Sequence, residues 1–157
     1  MKAGRLIVIG LLLATATAGR AEAATNETAA AVKPLANEMD VIALVNRAML
    51  SLGTNGVGGV LQTLGPYWHV SKTQMDTMLA DSEQKRDKAA QDYGAFVGFE
   101  PLKVKRLGRC LLLVVMLEKT EKKAIVWYFA FYQPKDSWVV SSCYWEPGFE
   151  RMLLYNN

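Results

Sequence analysis

Two periods divide the chain. From Leu35 to about Tyr93 apolar residues recur at steps of three and four, the spacing of a helix face, and after Gly98 they alternate, the spacing of a half-buried strand. Leu35, Met39, Ile42, Val45, Met49 and Leu52 predict a first helix over 35–52, with Gly53 as its stop. A short second segment over 57–64 ends at Gly65-Pro66. Ser71-Lys72-Thr73-Gln74 is a capping box, since the serine can accept from the Gln74 amide while the glutamine reaches back. It opens a third helix with an inner stripe of Met75, Met78, Leu79, Ser82, Arg86, Ala89, Ala90 and Tyr93, and Gly94 ends it. Asp81 with Lys85 and Glu83 with Arg86 have the spacing of ordinary ion pairs on a solvated helix face.

The alternating half predicts four strands, at about 99–106, 109–119, 123–133 and 137–146, joined by polar turns at Glu118–Lys123 and Pro134–Ser137. Pro101, Lys103 and Lys105 suit an edge strand, where a missing donor and outward charges discourage further pairing. Symmetric turns place Leu112 opposite Phe131 and Val114 opposite Phe129, then Phe131 opposite Val140 and Trp127 opposite Tyr144. One face then carries Cys110, Leu112, Val114, Met116, Trp127, Phe129, Phe131, Trp138, Val140 and Tyr144, and it is expected to meet the helices. The other carries Leu113, Val115, Leu117, Val126, Tyr128, Tyr132, Cys143 and Trp145, which is too apolar to be left in water and predicts a cover, such as a homodimer through the sheet.

Ahead of this domain Lys2 and Arg5 precede an apolar run from Leu6 to Leu13 and then small residues through Ala18, the layout of a cleavable secretory signal. The run is shorter than the ~20 residues of a spanning helix, so no stable membrane anchor is expected after cleavage. The chain divides into a signal at 1–24, a tether at 25–34 and one domain at 35–157, with the periplasm or the outside of the cell as destination. Of 18 basic and 15 acidic residues the signal takes Lys2, Arg5, Arg20 and Glu22, leaving 15 against 14, a net of +1. Such a near-neutral chain gives no electrostatic reason to expect a nucleic acid partner. The group Lys103, Lys105, Arg106 and Arg109 lacks the interleaved aromatics of a single-strand binder.

Candidate chemistry is thin. Export favours disulfides, but Cys110 and Cys143 fall on opposite faces with a strand between them, and both are expected free. His69 is the single histidine, and neither cysteine has a partner at ligand spacing, so no metal or cofactor is expected. Gly53-Thr54-Asn55-Gly56-Val57-Gly58-Gly59 follows a helix rather than a strand and lacks the Lys-Ser/Thr of a phosphate loop.

Gly65-Pro66-Tyr67-Trp68 before the long helix, and the run from Trp127-Tyr128-Phe129 through Gln133-Pro134-Lys135-Asp136-Ser137-Trp138, resemble exported bacterial members of the NTF2-like superfold. The resemblance covers about residues 35–147 and implies an α+β domain: N-terminal helices in three segments, packed on a curved four-stranded antiparallel sheet. It implies two functional classes. One is a non-catalytic module binding a small apolar ligand or a protein partner, with Tyr67, Trp68 and Tyr93 at the mouth of the cone and Tyr128 and Tyr132 on the exposed face. The alternative is an acid–base lyase or isomerase with His69 as proton carrier and Tyr67 or Tyr93 as donor. The apolar sheet positions favour the first.

Overall fold

The computed structural model describes residues 32–148. The expected signal, most of the tether and residues 149–157 lie outside them. Two helices pack on one antiparallel sheet, an α+β arrangement in the order α1 (Glu38–Leu64), α2 (Lys72–Tyr93), β1 (Phe96–Leu107), β2 (Leu111–Thr120), β3 (Ala124–Tyr132) and β4 (Val139–Pro147). Neighbours in sequence are neighbours in the sheet, β1-β2-β3-β4. Among the described residues no helix is long and apolar enough to cross a membrane.

Helix α1 starts three residues later than its apolar period suggested, because Asn37 caps it by accepting from the Asp40 amide at 3.0 Å. Leu35 instead exchanges two backbone hydrogen bonds with Trp138, at 2.8 and 3.1 Å, and so covers the start of β4. The helix also runs through Gly53, its expected stop. The break comes at Gly56, with φ 61° and ψ −156°, a backbone that only glycine adopts without strain. The bend folds the second half back on the first: a Cβ on Gly59 would fall on the Ser51 hydroxyl and lie 2.8 Å from the Ser51 carbonyl oxygen. Both halves bury their inner side, from Val41, Leu44, Val45 and Met49 to Val57, Val60, Leu61 and Leu64.

A single 3-10 turn, Gly65–Tyr67, leads to α2, whose capping box is formed as expected: the Gln74 amide donates to Ser71 Oγ and the Ser71 amide to Gln74 Oε1. No residue of α2 is fully buried. Its inner stripe offers Ser82 and Arg86 where α1 offers Leu and Val, so it seals poorly against the sheet. Its C-terminal end is tied to the β2–β3 turn, where the Lys122 amide and the Thr120 hydroxyl both donate to the Tyr93 carbonyl.

Strands β2 and β3 pair as expected, with Leu112 opposite Phe131 and Val114 opposite Phe129. Between β3 and β4 the expected pairing holds for Phe131 with Val140 and then slips, because Ser141 is an extra residue: Ala130 faces Ser142, Phe129 faces Cys143 and Trp127 faces Trp145. A slip of one residue turns every later side chain over. Cys143 and Trp145, expected on the outer face, therefore pack into the core with Trp127, Phe129 and Phe131. Tyr144, expected inside, stacks on Tyr128 outside at 4.7 Å.

The outer face has its own small apolar cluster, Val115, Val126 and Tyr128, flanked by Leu102, Leu113 and Leu117. Strand β1 is an edge, as Pro101 and the lysines implied, with register shifts near Phe96 and Pro101.

Candidate functional site

The site begins with a charge that the alternation places inside. Leu112, Val114 and Met116 point to the helices, and the next residue of that parity is Glu118, which is completely buried in β2 rather than lying in a turn. A buried carboxylate persists only with full hydrogen bonding and a counter-ion. Arg86 supplies both. Its Nη2 donates to Glu118 Oε1 at 2.6 Å and its Nη1 to Oε2 at 2.9 Å, while Trp127 Nε1 donates to the same Oε2 at 2.7 Å. Arg86 therefore pairs across to the sheet, not with Glu83 along its own helix.

This cluster sets the walls of a cleft. The Arg86 guanidinium lies over the Trp145 ring, 5.4 Å from its centroid, and Trp145 is tilted against Trp127 at 6.3 Å. Trp127 in turn stacks on Phe129 at 6.0 Å. With its N–H committed to Glu118, Trp127 is held in one orientation and, itself buried, backs Trp145 at the cleft wall. Where α2 stands off the sheet beside these rings, a cleft of about 200 Å³ opens. Val57 and Leu61 from α1 and Met78 from α2 continue its apolar lining, and Cys143 contributes from β4. Asp81, Ser82 and Lys85 bring polar groups along its α2 side. Burial raises the Cys143 thiol well above the usual thiol range, which keeps it protonated and poorly nucleophilic. A second hollow of about 120 Å³ lies beyond Arg86, lined by Tyr93, Ala89, Thr120 and Ile125.

The residues expected at a binding mouth do not gather there. Tyr67 is half-buried and packs on the core from the 3-10 turn. Trp68 is buried and bridges to Val140, extending the sheet beyond β4. Tyr93 lines the second hollow, with Lys123 Nζ 5.0 Å from its ring centroid. Tyr128 is buried on the outer face, its hydroxyl donating to Glu146 at 2.9 Å, and Tyr132 is exposed at the end of β3. His69 is exposed and lines neither hollow. Cys110 is exposed in the β1–β2 turn.

Of the groups that build the cleft, the sequence places Arg86 on the inner stripe of its helix and at pair spacing with Glu83, Glu118 where strand meets turn, Trp127 in the core and Trp145 on the outer face. The signal that finds them is one charge of each sign on two inward stripes, Arg86 on the helix and Glu118 on the strand. Among the described residues no three His, Cys, Asp or Glu side chains gather where they could hold a metal ion. Compared with protein-family models, with curated proteins and with solved structures, the chain matches none.

Proposed function

We propose that the chain is an exported, NTF2-like binding module that takes a small, largely apolar ligand into the cleft between α2 and β4 without transforming it. The observation that carries this is the fixed aromatic floor: Trp127 and Trp145 are locked by Glu118 and Arg86 beside an accessible apolar volume. Rings held in place lose little entropy when a ligand arrives, which is what makes a preformed apolar cleft bind. The helices-then-meander order and the main core between the helices and one face of the sheet support the NTF2-like assignment. The basic, apolar and small-residue order of residues 1–24 supports export.

An acid–base mechanism has less support. His69 is exposed and away from the cleft, Glu118 has both oxygens committed to three donors, and Cys143 is held as the thiol. Protein association through the sheet is favoured by one specific feature: Leu111, Tyr132 and Tyr144 are each at least 40 % exposed, close to the outer apolar cluster. A homodimer would cover them.

Thermal shift and tryptophan emission of the mature chain, titrated with a series of small aromatic and aliphatic compounds, test the binding proposal. A subset of compounds should raise the melting temperature, and Trp145→Ala should abolish that rise. A flat response across the series, or an unchanged response in the variant, overturns it. Sedimentation of the mature chain tests the dimer, and a strict monomer at high concentration rules it out.

A further inference from the structure

We infer that the ligand of this cleft is a zwitterion with a flat apolar body, of the chemical class of a free aromatic amino acid; this rests on the cleft being the binding site. The inference comes from two charges that decline their obvious partner. Asp81 and Lys85 are one helical turn apart with the acidic residue first, the favourable order for an ion pair along a helix. Among the described residues the ion pairs are Lys72–Asp76, Arg86–Glu118, Arg106–Glu38 and Lys119–Glu100, and this pair is not one of them. Both side chains line the cleft, with Ser82 beside them.

Three dimensions agree with that class. The apolar side of the cleft is aromatic: the half-buried Trp145 offers ring surface, with Trp127 closed behind it. The polar side presents one cation and one anion whose Cβ atoms stand about 5–6 Å apart, as for any helical pair four residues apart. Lys85 and Asp81 can then flank a carboxylate and an ammonium borne on one carbon, while Ser82 Oγ donates to the carboxylate. The volume of about 200 Å³ is smaller than the roughly 300–1,000 Å³ usual for drug-sized ligands. An anion would leave Asp81 beside like charge, a cation would do the same to Lys85, and a neutral ring would use neither.

Isothermal titration of the mature chain with tryptophan, tryptamine, indole-3-propionate and indole separates these cases. Tryptophan should bind about fivefold or more tighter than each of the other three. Lys85→Met should bring tryptophan down to the affinity of tryptamine, and Asp81→Asn down to that of indole-3-propionate. Both positions are exposed, so melting curves should show intact folds. If indole binds as tightly as tryptophan, the zwitterion is overturned while the apolar cleft stands. If none of the four binds, the cleft as an aromatic binding site falls with it.

Discussion

Arg86 and Glu118 face each other across the gap between α2 and β2, joined by two parallel hydrogen bonds of 2.6 and 2.9 Å. The carboxylate is fully buried, while the arginine side chain retains 24 % exposure and spreads over Trp145. One ion pair thus ties a helix with no fully buried residue to the sheet, orients Trp127 through its indole N–H and roofs Trp145. The same contacts that hold α2 in place shape the cleft beside it.

Breaking this pair from one side should cost more than removing it whole. Arg86→Met leaves a carboxylate buried without a counter-ion, a loss of about 2–3 kcal/mol after allowing for the partial exposure of Arg86. Arg86→Met with Glu118→Gln removes the charge and keeps an acceptor for Trp127 Nε1, so the double variant should recover about 1 kcal/mol or more of that loss. Urea unfolding checks both. A double variant no more stable than Arg86→Met would show that the buried charge is not what destabilises it.

What could be read from sequence and what could not follows from where local pattern decides the outcome. The β2–β3 register was legible because the turn is symmetric and both strands alternate without interruption, so Leu112 had to meet Phe131. The β3–β4 register failed at one serine: Ser141 and Ser142 give no apolar signal to mark which is extra, yet the slip exchanges the faces of Cys143, Tyr144 and Trp145. Gly53 was the expected end of the first helix, yet the break falls three residues later at Gly56, and nothing in the local pattern separates the two glycines. The capping box at Ser71 needed only neighbours in sequence and was read correctly. Arg86 is read on the inner stripe of its helix and Glu118 at the end of its strand, but each also has a plausible local role, with Glu83 and in the turn, and only the fold shows that they pair with each other.

The slipped register also predicts unequal thiols. Cys110 is exposed and should react with a disulfide reagent at once, while Cys143, half-buried beside Phe129 and kept protonated by desolvation, should react about tenfold or more slowly in the folded chain than in the unfolded one. Two fast thiols in the native protein would contradict the assigned face.

Stability should carry the same mark. The folded state holds the Cys143 proton above the pH at which an unfolded chain, with a thiol near 8.5, gives it up. Folding then binds a proton, and stability falls as pH rises from about 8.5, by at most ~1.4 kcal/mol per pH unit. Lysines and tyrosines titrate there too, so the quantity to measure is wild type minus Cys143→Ala. It should be flat below about pH 8 and decline above, and a difference that stays flat to pH 10 would mean the thiol is not desolvated.

Adjacent glycines in α1 should respond in opposite senses to alanine. At Gly58 a Cβ would meet only Leu79 and Glu83 at 3.5 and 3.9 Å, ordinary contact, so Gly58→Ala should gain about 0.5–1 kcal/mol from helix propensity and reduced freedom of the unfolded chain. At Gly59 the Cβ would collide with Ser51, including its carbonyl oxygen, and the two halves of α1 would have to part. Gly59→Ala should lose about 2 kcal/mol or more, as overpacking does. Equal effects at the two positions would show that the bend at Gly56 does not bring the halves together.

The first turn of α2 depends on its cap more than most helices do. Its inner residues Met75, Met78 and Leu79 are only half-buried, so little tertiary packing compensates if the turn frays. Ser71→Ala removes the acceptor for the Gln74 amide and should cost about 1 kcal/mol. Gln74→Ala removes the return bond to the Ser71 amide, and because the two bonds support each other the double variant should lose less than the sum of the singles. Met75 and Met78 lie within this turn or just after it, and Met78 lines the cleft. Fraying should therefore also weaken whatever the cleft binds, by a factor that grows with temperature. Ser71→Asp, which restores an acceptor and adds a favourable charge at the helix start, should return both stability and binding; if it restores neither, the cap is not the cause.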